Sequence, residues 1–202
     1  MPRISSNNVG GAGSVGGAYE TSPQHVSGKN YILSIPNGSA GNLDIKLKLE
    51  SGAETTRKVG GAPVNCYAFA RARKRHIPGG TRGPVSLPYM VTPEATHKAL
   101  LKDGGISLGL NPFNAGGREP IELDPDKSYY LVAAMTAREE YHFARLFSDG
   151  WWAKPSKVKL AGQMGKILDV PDSKNEFKGK LCKSGGRTAY NPLGYYLFPA
   201  PK

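Results

Sequence analysis

Cys66 is the residue with the clearest chemical potential. It directly follows Asn65, a good helix N-cap, at the head of VNCYAFARARKRH (64–76), and is approached through Gly60-Gly61-Ala62-Pro63. A sulfur in the first turn of a helix meets unpaired backbone N–H groups and the positive end of the dipole, both of which favour the thiolate. The same N–H groups can hold an oxyanion formed on a carbonyl that the sulfur attacks. The competing reading is a small buried hydrophobe, which is what most lone cysteines are. Cys182, in KGKLCKSGG, reads as an exposed or semi-exposed thiol with no base near it in sequence. His142 in EYHFARL is the candidate base. Alternation groups it with Ala144 and Leu146 on one face of a strand. A third group, to orient the imidazole, should follow His142. Asp169 in KILDV is the best placed, with Asp172 and Asn175 as alternatives, while Asp149 in Ser-Asp-Gly reads as a turn residue.

These residues need elements to position them. KNYILSIP (29–36) reads as a strand closed by the turn Pro36-Asn37-Gly38. LDIKLKLE (43–50) alternates, with Leu43, Ile45, Leu47 and Leu49 on one face and charges on the other, which predicts a half-buried antiparallel strand. Residues 51–62 read as a loop. The Cys segment predicts a helix over 64–76, stopped by Pro78-Gly79-Gly80. TPEATHKALLKDGG (92–105) predicts a second, with Thr92 as N-cap, Pro93 at N1, His97 on an exposed face, and Gly104-Gly105 at the end. SYYLVAAMT (128–136) is apolar enough for a buried central strand. EYHFARLFSDGWWAKP (140–155) predicts a hairpin, and KILDV (166–170) and GYYLFPAP (194–201) are further strands. Trp151-Trp152 and Tyr195-Tyr196 point to opposite faces, with one of each pair expected in the core. A Cys-bearing helix followed by a run of strands is an α+β order.

The 202 residues suit one domain with a tail. Residues 1–28 are Gly, Ser, Asn, Ala and Thr with almost no large apolar side chain, and read as a disordered polar leader before a domain at 29–202. No apolar run approaches 18 residues, and two cysteines without a Cys/His cluster suggest neither a disulfide scaffold nor a metal. No cofactor motif is present; GGAGSVGG lacks the preceding strand and Lys-Ser/Thr ending of a phosphate loop. The net charge of +11 concentrates in RARKRH (71–76) and in 154–187. A solvated face accounts for it better than nucleic acid does, because the aromatics are not interleaved with Arg for stacking. A non-catalytic basic, β-rich binding protein for nucleic acid or an anionic surface is the alternative to an enzyme.

NCYAFA (65–70) and EYHFARLFSDGWWAKP (140–155) carry a resemblance to a family of secreted, papain-like cysteine hydrolases. Asn65, Cys66, Tyr67 and Ala70 match in the first block. Tyr141, His142, Asp149, Gly150, Trp152, Lys154 and Pro155 match in the second, and Pro78-Gly79 also fits. Gly165 to Asp169 matches a later element in which Val170 intervenes before Pro171. The resemblance implies a Cys-bearing helix packed on a mainly antiparallel sheet, with His142 on a strand facing the helix start. It implies Cys66 as nucleophile, His142 as base and Asp169 as its orienting partner, with the Cys66 N–H and the Asn65 side chain on the oxyanion. The implied activity is hydrolysis of a protein substrate, as protease or glutamine deamidase. The leader is similar to those of effectors delivered into host cells by type III secretion, which makes a host protein the expected partner.

Overall fold

The computed structural model describes residues 30–59, 65–73, 77–80, 92–110, 119–137, 140–154, 162–165 and 190–201. The leader, Asp169, Asp172, Asn175, Cys182 and the strand expected at 166–170 lie outside them.

β1 (Asn30–Pro36) and β2 (Asn42–Lys48) form an antiparallel hairpin across a short 3-10 turn at Gly38–Ala40. The alternation of β2 is realised: Ile45, Leu47 and Leu49 are buried while Asp44 and Lys46 are exposed. β4 (Tyr129–Thr136) is buried along its whole length, because β5 (Tyr141–Phe147) flanks it on one side and β8 (Asn191–Pro199) on the other, both antiparallel. β6 (Gly150–Ala153) and β7 (Gly162–Gly165) extend the sheet beyond β5, and β3 (Ile106–Gly109) extends it beyond β8. β2 meets β4 in parallel only at Leu47–Tyr129. The class is therefore α+β with a mainly antiparallel sheet.

Alternation along the central strands feeds two cores. On one face, Leu131 and Met135 of β4, Ala144 and Leu146 of β5, Trp151 of β6 and Tyr195 of β8 share a cluster with Leu33, Ile35 and Ile45 of the first hairpin, which covers that face. On the other face, Val132, Phe143, Tyr196 and Phe198 pack with residues of the helices. Because both faces are covered, Tyr195 and Tyr196 are both buried, where the sequence suggested one.

The helices depart most from expectation. Residues 52–59 form α1 (Gly52–Val59), not a loop. The Asp149 carboxylate, from the β5–β6 turn, accepts from the Gly52 N–H at 2.8 Å and the Ala53 N–H at 3.3 Å, and so caps a helix 97 residues away. Ser51 Oγ accepts from the Glu54 N–H, a Ser-x-x-Glu start that was the local signal for this helix. α2 is short, Cys66–Ala70, where a helix to residue 76 was expected. It ends in a Schellman motif: the Arg73 N–H donates to the Ala68 carbonyl and the Ala72 N–H to that of Phe69. Ala72, at φ 51°, takes the left-handed position that glycine usually fills, so the stop carries no glycine to announce it. α3 (Pro93–Lys102) is as expected, with Thr92 Oγ1 accepting from the Ala95 N–H. His97 is half-buried rather than exposed, its Nδ1 2.7 Å from the Tyr196 hydroxyl.

Candidate functional site

Cys66 opens α2, and Asn65 caps that helix by accepting from the Ala68 N–H at 2.7 Å. The cap engages the carbonyl end of Asn65, which leaves its amide nitrogen as the end suited to an oxyanion. α2 lies against β5 and β6. Tyr67 anchors it, its ring tilted at 52° against Phe143 with centroids 4.8 Å apart. Its hydroxyl donates to Asp103 Oδ2 at 2.7 Å and accepts from Arg71 Nη1 at 2.8 Å. Arg71 lies over the Phe198 ring at 3.9 Å, and Asp103 also accepts from the Gly79 N–H. The first arginine of the basic run is thus buried in the joint between α2 and α3, not offered to a partner.

The thiol sits at a strand edge. Cys66 Sγ donates to the Tyr141 carbonyl oxygen at 3.9 Å, and the Phe143 N–H faces the sulfur. Both backbone groups point away from β4, since the Ala137–Glu140 bond turns the even-numbered residues of β5 toward that strand. They therefore point to the β6 side. The described β5–β6 ladder ends at Ala144–Ala153, so at residues 141–143 the sulfur stands where a neighbouring strand would continue. It lies level with His142, in the plane of the sheet.

The His142 ring does not share the face of Cys66. His142 pairs with Met135 and alternates with Ala144 and Leu146, all in the cluster opposite α2. Its ring lies 5.5 Å from that of Tyr190, which packs on the same cluster, while Tyr141 and Phe143 take the helix side. The fold thus brings the sulfur to the backbone on either side of His142, and the thiol's hydrogen bond goes to Tyr141 rather than to the imidazole. His142 Nε2 is buried and has no hydrogen-bond partner among the described residues.

Burial dominates the electrostatics. Cys66 is 4 % exposed, and loss of water pushes its pKa up to about 12. The N–H groups of Phe143, Tyr67 and Cys66 itself oppose the shift, and the negative charge of Glu140 adds to it. Loss of water lowers His142 to about 4, with Glu140 acting in the opposite sense. In this arrangement the proton rests on sulfur and the imidazole is neutral. Among the described residues no group of three His, Cys, Asp or Glu side chains could hold a metal ion, and no helix is long and apolar enough to cross a membrane. Comparison with protein-family models, curated proteins and solved structures finds no match.

Proposed function

We propose that the protein is a papain-like cysteine hydrolase acting on an amide or thioester, with Cys66 as nucleophile and His142 as general base. The observation that carries this reading is the position of Cys66 Sγ beside β5 beyond the last described β5–β6 pair, level with His142. An atom in the plane of a sheet can be reached from either face around a free edge. The reading requires the His142 ring to turn toward the β6 side, so that a ring nitrogen meets the sulfur. The imidazole then takes the thiol proton, and the thiolate adds to the carbonyl carbon. The oxyanion is held by the Cys66 N–H and the Asn65 amide. Collapse breaks the bond to the leaving amine or thiol, which takes its proton from His142, and water hydrolyses the acyl-cysteine. Asp169 keeps the orienting role on its sequence position. The polar leader supports delivery of the enzyme to a host cell, with a host protein as substrate.

The test is acyl trapping. The full chain is incubated with a panel of peptide thioesters and glutamine peptides, and intact mass and product release are followed. The reading expects an acyl adduct on Cys66 that is absent in Cys66→Ala, and turnover reduced about 100-fold or more in His142→Ala. An adduct that survives Cys66→Ala, or no adduct or turnover across the panel, overturns it.

A further inference from the structure

The residue in contact with the sulfur also carries an aromatic ring that reaches solvent. Cys66 Sγ meets the Tyr141 carbonyl oxygen at 3.9 Å. Tyr141 and Phe143 take the helix side of β5, with ring centroids 5.3 Å apart and planes tilted at 49°. Tyr141 packs against the cluster that holds Cys66, Tyr67 and Phe143, yet it is only half-buried where those three are buried. Asn65, the chain neighbour of Cys66, is half-buried as well. The buried thiol is thus flanked by two side chains that reach solvent, one polar and one aromatic. From this placement we infer that Tyr141 is a specificity-determining residue: its ring is an apolar wall beside the sulfur and selects substrates with an apolar side chain next to the carbonyl under attack.

The inference rests on the hydrolase reading and names its substrate class. In that reading the oxyanion goes to the Cys66 N–H and the Asn65 amide, and the imidazole comes from the opposite face of the sheet. The acyl group is then left the helix side, where the Tyr141 ring lies. Three bonds separate the sulfur from the first side-chain carbon of an acyl residue, a reach of about 4 Å. That matches the contact between Sγ and Tyr141, so this side chain lands against the tyrosine. A half-exposed ring gains most from a group that completes its burial, which an aliphatic or aromatic side chain does. The negative charge of Glu140, the preceding residue, acts on the sulfur, so an acidic side chain brought there meets like charge. The phenol hydroxyl has no part in this role, which separates a wall from a hydrogen-bond donor.

The experiment is a substrate series read as ratios. N-acetyl-aminoacyl thioesters of glycine, leucine, phenylalanine and glutamate are given to the full chain, and kcat/KM is compared. The wild type should favour leucine and phenylalanine over glycine by about tenfold or more, with glutamate lowest. Tyr141→Ala should cut the leucine-to-glycine ratio about tenfold, and Tyr141→Phe should retain it. Partial unfolding scales every ester alike, so the ratio reports folded molecules. A second measurement needs neither turnover nor a variant: N-acetyl-leucinamide and N-acetylglycinamide are titrated into the 13C-labelled wild-type chain. The Tyr141 ring signals should shift at a lower concentration of the leucine probe. A wild type without preference for leucine, an unchanged ratio in Tyr141→Ala, a collapsed ratio in Tyr141→Phe, or ring signals that treat the two probes alike overturns the inference. Ring shifts selective for leucine without turnover on any ester would sink the hydrolase and keep the apolar wall, and turnover without acyl preference would do the reverse.

Discussion

The Cys66 thiol donates its hydrogen bond to the main-chain carbonyl of Tyr141, across 3.9 Å, at a point where β5 has no strand beside it in the described ladder. A side chain here stands in for a strand. Cys66→Ala should therefore do more than remove a nucleophile: the Tyr141 carbonyl loses the thiol as its donor in a part-buried place. A loss of about 1–3 kcal/mol in unfolding free energy is expected by urea denaturation. A variant as stable as the wild type would show that the edge does not need the sulfur.

His142 should make stability depend on pH. Its folded pKa of about 4 lies below the value of about 6.5 expected in the unfolded chain. Between these values the unfolded state binds the extra proton, so stability is full above pH 6.5 and falls as pH drops toward 4. The ceiling on the loss is about 3 kcal/mol. In urea midpoints compared from pH 7 to 4.5, the wild type should lose stability relative to His142→Leu as the pH falls. Parallel curves would mean that the ring is wet.

Asp149 should prove to be a helix cap. Asp149→Ala removes the acceptor for the Gly52 and Ala53 N–H groups and should cost about 1–2 kcal/mol. The loss should appear as faster amide exchange in α1 before any change in β4. Uniform loss of protection would assign Asp149 to the hairpin alone.

How far these relationships were legible depends on how local their causes are. Alternation in 43–50 and the apolar run 128–136 are properties of a few adjacent residues, and β2 and β4 formed where expected. Thr92-Pro93 and Gly104-Gly105 likewise bounded α3. α1 was missed although Ser51 and Glu54 carried a capping signal, and its other cap, Asp149, is remote in sequence. α2 was drawn too long because Ala72 makes a stop that glycine usually makes. At the site, Cys66 stands at the head of its helix as read, and alternation correctly grouped His142 with Ala144 and Leu146. Which face α2 would cover is a tertiary outcome, and no periodicity in one strand reports it.

Gly52 is a site where a single methyl group should be costly. A Cβ there would overlap the Trp152 indole, which is itself wedged against Ala68 and Phe69. Gly52→Ala should destabilise by about 1–3 kcal/mol and shift the tryptophan emission, against the usual gain of alanine over glycine in a helix. A stabilised variant with unchanged emission would show that the indole can move aside.

The basic run 71–76 should divide into structural and solvent charges, and two of its arginines make the contrast. Arg71 is buried, stacks on Phe198, donates to the Tyr67 hydroxyl and the Asp103 carbonyl, and has the Asp103 carboxylate 4.0 Å away. Arg73, two residues on, is exposed. Removing Arg71 takes away the arginine beside the part-buried Asp103 carboxylate, which still accepts from the Tyr67 hydroxyl and the Gly79 N–H. Breaking one side of a buried pair costs about 3–5 kcal/mol, whereas an exposed arginine is worth a few tenths. Arg71→Met should therefore lower the melting temperature by many degrees, and Arg73→Met should leave it almost unchanged. In the double variant Arg71→Met with Asp103→Asn, part of the loss should return, because the carboxylate charge that Arg71 faced is gone. Equal melting temperatures for the two single variants would place Arg71 in solvent and undo the joint between α2 and α3. With no recovery in the double variant, the cost would belong to the cation–π stack on Phe198 instead of the ion pair.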